Sequence, residues 1–126
     1  MRLLLDTNIA IYLSENRKLS LALQNAIIDS ESLWLTSLAR AEIGIKMSVG
    51  KLRLEVSEPE YWTRLQTRLQ ASELAFESKH AALLATMPLH HRDPFDRMIA
   101  AQCLAEDLTL ATTDTIFNWY GVRTIS

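Results

Sequence analysis

The chain predicts an α/β fold, with a central, mostly parallel sheet of about five strands flanked by helices, in a single domain spanning residues 1–126. Three observations predict it. Short apolar runs alternate with longer segments of helical periodicity, the order expected of right-handed strand–helix–strand crossovers. No linker, low-complexity tract or repeat interrupts that alternation. At 126 residues the chain fits one domain with a core of its own.

Arg2 to Asp6 reads as a short apolar strand closed by Asp6, and Thr7 to Leu13 as helical. Ser20 to Ser30 carries Leu21, Leu23, Ala26 and Ile27 at helical rather than alternating spacing. Leu33 to Thr36 is the second strand; Ser37 is the expected N-cap of a helix running to about Val49 and stopped by Gly50. Ser57 and Pro59 open a helix through Tyr61, Trp62, Leu65 and Leu69. Leu74 to Phe76 is expected as a brief strand, and Ser78 to Met87 as a helix ended by Pro88. Asp93 caps the next helix, with Pro94 first, and that helix reaches about Glu106. Leu108 to Thr112 and, after a turn at Gly121, Val122 to Ile125 complete the strands.

With 48% hydrophobic and 22% charged residues, the composition is that of an ordinary globular protein. Cys103 is the one cysteine, which excludes an internal disulfide; among apolar helix neighbours it reads as core packing. No apolar run approaches the roughly 18 residues of a membrane span, and the start has no signal-peptide pattern. A cytoplasmic protein without membrane contact is expected. The net charge of −2 lacks the basic excess of most nucleic-acid binders, although a cluster of catalytic acids would itself lower it.

Four acids carry the functional reading: Asp6, Glu42, Asp96 and Asp114. Each sits where a strand ends or where a helix turns its apolar side inward. In parallel sheets, ligands bind beyond the carboxyl ends of the strands, where the strand order reverses. Asp6 ends the first strand and Asp114 follows the fourth, so the two meet if those strands are neighbours. Glu42 shares a helix face with Leu38, Ala39, Ile45 and Lys46. Asp96, at the third helical position, faces the side of Ile99, Ala100 and Cys103. Each acid also has a simpler reading. Asp6 and Asp114 suit N-caps, Glu42 suits a pair with Lys46, and Asp96 suits the helix dipole. Asp93 needs no role beyond capping. One cause for all four is a hard divalent cation, since carboxylates without accompanying His or Cys favour Mg²⁺ or Mn²⁺ over zinc. Thr7 and Asn8 are placed to support Asp6 by hydrogen bonding.

With these residues in view, the chain resembles the PIN-domain nucleases, in particular the VapC toxins of type II toxin–antitoxin systems. The resemblance runs nearly end to end. It rests on Leu5-Asp6-Thr7-Asn8, on Arg40-Ala41-Glu42-Ile43-Gly44-Ile45-Lys46 with Gly50-Lys51-Leu52, and on Leu89-His90-His91-Arg92-Asp93-Pro94-Phe95-Asp96-Arg97. Thr112-Thr113-Asp114 and Tyr120-Gly121-Val122 close it. One departure is Ala41, where this family often has Trp before the acid. The resemblance implies a Rossmann-like PIN domain, endoribonuclease activity dependent on Mg²⁺ or Mn²⁺, homodimers and a cognate antitoxin, with transfer RNA as the suggested substrate. Carried over by position, Asp6, Glu42, Asp96 and Asp114 are the catalytic, metal-binding quartet, and Thr112 is the supporting hydroxyl. Arg40, Lys46, Arg92 and Arg97 are candidates for offsetting phosphate charge. His90 and His91 are candidate general acids, although a loop histidine pair is more often a solvated surface feature, and Arg97 reads equally as a structural partner for an acid. Trp119 and Tyr120 either stack on unpaired bases or close the C-terminal layer.

Three alternatives compete with the toxin reading. A phosphatase with Asp6 as nucleophile would want a second Asp where Asn8 stands. A catalytically silent RNA-binding module would not need all four acids. A PIN-fold RNA-processing nuclease without an antitoxin differs only in its partner.

Overall fold

A computed structural model describes residues 1–90 and 92–126. Its five-stranded sheet comprises β1 (Arg2–Leu5), β2 (Ser32–Thr36), β3 (Ser72–Leu74), β4 (Thr109–Ala111) and β5 (Thr124–Ile125). Every pairing is parallel and the order is β3-β2-β1-β4-β5. The chain builds outward from β1 in one direction through β2 and β3, then returns to the other side of β1 for β4 and β5. The switch point therefore lies between β1 and β4, where Leu3 pairs with Thr109 and Leu5 with Ala111.

The central position of β1 explains its composition. Leu3 and Leu5 face one hydrophobic layer and Leu4 the other, and all three are fully buried. The first layer includes Ile9 of helix α1 (Thr7–Ser14), Leu23 of α2 (Leu21–Asp29), Ile43 of α3 (Ser37–Ser48) and Trp62 of α4 (Glu58–Leu69). The second contains Ile99, Ala100 and Cys103 of α6 (Pro94–Glu106), with Phe117 and Tyr120 of a 3₁₀ helix, Thr115–Tyr120. The short helix α5 (Ser78–Leu84) packs against α6.

Local sequence sets the helix ends. Ser20, Ser57 and Asp93 each cap by accepting a hydrogen bond from a backbone N–H, and Pro59 and Pro94 occupy the first turns of α4 and α6. Thr36, rather than Ser37, is the N-cap of α3. Its hydroxyl accepts from the Leu38 N–H at 3.1 Å and donates to Gln102 at 2.6 Å, fastening α3 to α6. Ser37 instead accepts the Phe76 N–H at 3.0 Å, which takes Phe76 out of the sheet. The third strand consequently lies two residues earlier than expected, at Ser72–Leu74. Helix α5 ends at Leu84, short of Met87, and the last strand is confined to Thr124–Ile125. Cys103 is buried in the second layer, as its apolar neighbours suggested, and burial pushes its thiol up to about 12. No helix among the described residues is long and apolar enough to cross a membrane.

Candidate active site at the carboxyl edge of the sheet

Asp6 stands directly after β1 and caps α1, its Oδ1 accepting the Asn8 N–H at 3.1 Å. Its other oxygen, Oδ2, accepts the Thr112 hydroxyl at 2.5 Å, and the Asp114 N–H donates to that same hydroxyl at 3.1 Å. Thr112 follows β4, so this chain of bonds crosses the switch point and ties the ends of the two central strands together. Asn8 contributes its backbone N–H, while its side chain is exposed.

Glu42 extends from the middle of α3, half-buried, and its Oε1 accepts the Thr7 hydroxyl at 2.6 Å. Thr7 therefore serves Glu42, not Asp6. A threonine hydroxyl thus fixes each of the two acids, which leaves the second carboxylate oxygen of Glu42 available for another partner.

Burial and neighbouring charge act on both acids. Burial, above all, lifts the Asp6 carboxyl above the ordinary range; the Thr112 and Asn8 bonds pull it down, the Asp114 charge pushes it up, and Lys46 opposes that push. Glu42 is lifted in the same way, first by burial, with Thr7 pulling down, the charges of Asp93 and Asp6 pushing up, and Lys46 again the opposing cation. Asp6 thus feels the charge of Asp114, and Glu42 feels those of Asp93 and Asp6; the Thr112 hydroxyl, bonded to both Asp6 and the Asp114 N–H, brings the ends of β1 and β4 together. Asp93 combines two functions: it caps α6 through the Phe95 N–H at 2.9 Å and adds charge beside Glu42. Sequence reasoning reserved it for capping alone. The signal that could have found the second role is its position at the start of the helix that also carries Asp96. Asp96 is half-buried in the first turn of α6. Asp114 is exposed and caps the 3₁₀ helix through the Ile116 N–H at 3.0 Å.

The cations divide into two groups. Lys46 faces the acids without an ion pair to any of them among the described residues, and Arg92 is exposed. Arg40 points elsewhere: its guanidinium grips Glu58 with bonds of 2.7, 2.8 and 3.1 Å and lies over the Trp62 ring. Arg97 donates to the Pro88 and Leu84 carbonyls at 3.3 Å, bracing the segment before α6. His90 is exposed, with its ring against Trp119 and Tyr120 and its N–H donating to the Tyr120 hydroxyl at 3.1 Å; His91 lies outside the described residues.

The donor chemistry fits a hard divalent cation. These side chains offer carboxylate oxygen only, Asp6 is buried and Glu42 half-buried, and Lys46 acts on both as an opposing cation. As they stand, no three His, Cys, Asp or Glu side chains among the described residues are close enough to form a ready-made metal group. A cleft of about 540 Å³ between the end of α1, residues 52–56 and α4, reached by Tyr61, Arg64 and Arg68, contains none of the four acids.

A five-stranded parallel sheet in this order, flanked by helices, is consistent with a PIN domain. The chain belongs to the PIN domain family, whose model matches residues 3–121. PIN domains are in general nucleases and typically use divalent metals. Among solved structures, the chain is similar to VapBC from Salmonella typhimurium bound to DNA, with a TM-score of 0.71 at 16% identity over 99% of this chain and 97% of that one. VapBC2 from Rickettsia felis, bound to a DNA fragment from its promoter, gives 0.68 at 18% identity, over 99% and 98%. FitAcB from Neisseria gonorrhoeae gives 0.63 at 26% identity, over 98% and 96%. The first two are likenesses of fold. A search among curated proteins finds no match.

Proposed function

We propose that this chain is an endoribonuclease dependent on Mg²⁺ or Mn²⁺, acting in the cytoplasm as the toxin of a toxin–antitoxin pair. The observation that supports the reading is Asp6, a buried acid at the switch point whose Oδ2 accepts the Thr112 hydroxyl that also accepts the Asp114 N–H. Carboxylates withdrawn from water near one another favour a bound cation. The likeness to VapBC and FitAcB supports an antitoxin partner, and a homodimer is part of the same proposal.

Asp6, Glu42, Asp96 and Asp114 would hold the ion, with Asp93 adding charge beside Glu42. The ion would supply Lewis acidity toward a phosphodiester oxygen and a more acidic bound water. The chain's own groups orient the site. Thr112 holds Asp6 Oδ2 in place, Thr7 holds Glu42 Oε1, and the Asn8 N–H fixes the remaining Asp6 oxygen. Lys46 would offset part of the negative charge and, with the exposed Arg92, would meet a phosphate. Arg40 and Arg97 would have to leave Glu58 and the Leu84 and Pro88 carbonyls to do so. No residue here calls for a covalent intermediate.

The test is to incubate purified protein with RNA and Mg²⁺ and to sequence the new ends. Asp6→Asn and Asp96→Asn are expected to abolish cleavage while remaining folded by circular dichroism. Cleavage at the wild-type rate by either variant refutes the site. Induced expression without a partner should halt growth; equal growth of cells expressing wild type and Asp6→Asn at matched protein levels counts against the toxin reading.

A further inference from the structure

Thr36 and Gln102 are both polar and both fully buried. Gln102 sits among Ala100, Ala101 and Cys103 on α6, where an apolar side chain would pack without the desolvation that a carboxamide costs. Each polar atom of the pair has a partner. The Thr36 hydroxyl accepts the Leu38 N–H at 3.1 Å, so its proton is free for the Gln102 carbonyl oxygen, 2.6 Å away. The Gln102 amide then faces the Leu74 carbonyl at 3.5 Å. One side chain of α6 thereby meets the last residues of both β2 and β3.

The pair stands at the root of two acid-bearing helices. Glu42 lies six residues beyond Thr36 on α3, and Asp96 six residues before Gln102 on α6. At about 1.5 Å per residue, each acid is about 9 Å along its own helix from the bond. Followed forward along α3 and backward along α6, the two helices stay together. Leu38 and Ile99 belong to the same apolar layer, and Glu42 feels the charge of Asp93 at the start of α6. The second half of α3 is less constrained, with Ile45 and Val49 50% and 61% exposed. The direction of α3 is therefore set near its root, and at Glu42 itself by the Thr7 hydroxyl. Apolar contacts tolerate sliding, whereas a buried hydrogen bond holds one distance and one direction.

We propose that Thr36 and Gln102 are positioning residues for the acidic site: their bond sets α3 against α6, hence the separation of Glu42 and Asp96, and through that separation the preference for a small cation. This role rests on the metal-dependent reading of the acids and adds to it what fixes their spacing. Ion preference follows from rigidity. Mg²⁺ demands near-ideal geometry at short ligand distances, whereas Ca²⁺ accepts a larger and more flexible set of oxygens. Acids held at a fixed separation favour Mg²⁺, and the same acids on a freed helix lose that advantage.

The experiment titrates the metal-free chain with Mn²⁺, reading the free ion by electron paramagnetic resonance, and then displaces it with Mg²⁺ or with Ca²⁺. No RNA is present and nothing is cut. Gln102→Met keeps the length of the side chain and removes both polar atoms. Its Mg²⁺ affinity should fall roughly 10-fold, the lower end of the loss when a supporting bond is removed, and its Ca²⁺ affinity by clearly less. Thr36→Ser keeps the hydroxyl and should bind both ions as wild type does. Should Gln102→Met fail to fold by circular dichroism, Thr36→Val removes the same bond from its other end and is read in the same way. Urea unfolding of the metal-free chains separates a merely structural role. A variant that loses stability but binds both ions like wild type overturns the proposal, as does an equal loss for the two ions. Failure of the metal reading looks different. A wild-type chain that binds no Mn²⁺, or binds it equally well after Asp6→Asn, has no metal site at the acids, and the bond then has nothing to position. Binding that depends on both Asp6 and Gln102, in a chain that cuts no RNA, keeps the positioning role and refutes the nuclease.

Discussion

Thr112→Val tests whether the switch-point threonine is there for the ionised form of Asp6. Valine keeps the shape of a residue that is 1% exposed and removes only its hydroxyl. Two bonds go with it, the 2.5 Å donation to Asp6 and the 3.1 Å acceptance from the Asp114 N–H. A hydrogen bond to a charged group contributes roughly 1.5–3 kcal/mol. Asp114 is exposed and its N–H can turn to water, so the second bond adds little. The expected loss at neutral pH is about 2–3 kcal/mol, a fall of about 6–15 °C in Tm for a chain of this size. The pH dependence is the sharper part. The hydroxyl pulls the Asp6 carboxyl down against its burial, so removing it lets the folded-state pKa rise further. The gap between wild type and Thr112→Val should be small at pH values where Asp6 is protonated in both, then widen as pH rises through the two raised folded values. Urea unfolding followed by far-UV circular dichroism, at acid and neutral pH and with equal m-values, measures it. Thr112→Ser is the control that keeps the bond. A gap that is the same at both pH values, or larger in acid, would mean that Thr112 does not serve the ionised carboxylate.

Other outcomes follow from the same geometry. Asp6→Asn should gain stability relative to wild type as pH climbs. Asp6 has a folded pKa above its unfolded value of about 3.9, so its favourable contribution is complete below that value and lost as pH passes through the raised one; Tm across a pH series, without metal, checks this. Added Mg²⁺ should raise the Tm of wild type, more at neutral than at acid pH because the ligands must ionise, and the rise should vanish in Asp6→Asn. A metal-independent Tm in wild type would count against the proposed ion. Arg40→Gln should cost no more than about 1 kcal/mol, the scale of a partly exposed ion pair, and should leave RNA binding unchanged if the hold on Glu58 is structural. His80 is fully buried, its Nδ1 accepting the Glu77 N–H and its Nε2 donating to Glu106, both at 2.9 Å. His80→Ala should therefore cost about 2–4 kcal/mol in urea unfolding without altering metal binding.

The sequence was most legible where one element alone determined the outcome. The Leu3–Leu5 run reads as an apolar strand and Asp93-Pro94 as a helix start, and both hold. Legibility failed where a distant partner decided. Ser72 and Glu73 carry no strand signal, yet they pair with Trp34 and Leu35 because β2 offers them an edge. Phe76, a better strand former, is excluded by the hydroxyl of Ser37, 39 residues away. The site divides similarly. That Asp6 and Asp114 share the switch point followed from strand order, whereas the partnership of Thr7 with Glu42 required knowing how α1 lies on α3. Arg40 shows the converse. A candidate for offsetting phosphate charge, it stands two helical positions from Glu42, which turns it more than half a circle away, and its guanidinium meets Glu58 instead.

The two threonines also indicate how the fold tolerates its own acids. Withdrawing carboxylates from water beside one another is unfavourable, and the raised Asp6 and Glu42 carboxyls record that cost. A cation introduced by the protein itself would relieve it, but would also occupy the oxygens that an exchangeable ion and a phosphodiester must reach. A hydroxyl relieves it in part and takes up only one oxygen face. Thr112 and Thr7 do this for Asp6 and Glu42 respectively, while Lys46 acts on both carboxyls without an ion pair to either among the described residues. Arg40, the cation capable of a bidentate clamp, is held away on Glu58. If that division is functional, Thr7→Val should weaken the Mg²⁺-induced rise in Tm, since supporting bonds of this kind typically contribute roughly 10- to 100-fold in metal affinity. Thr7→Lys should go further and abolish the rise while stabilising the metal-free chain, because an ammonium beside Glu42 would replace the ion. A Thr7→Lys variant that still answers to Mg²⁺ as wild type does would show that Glu42 takes no part in holding it.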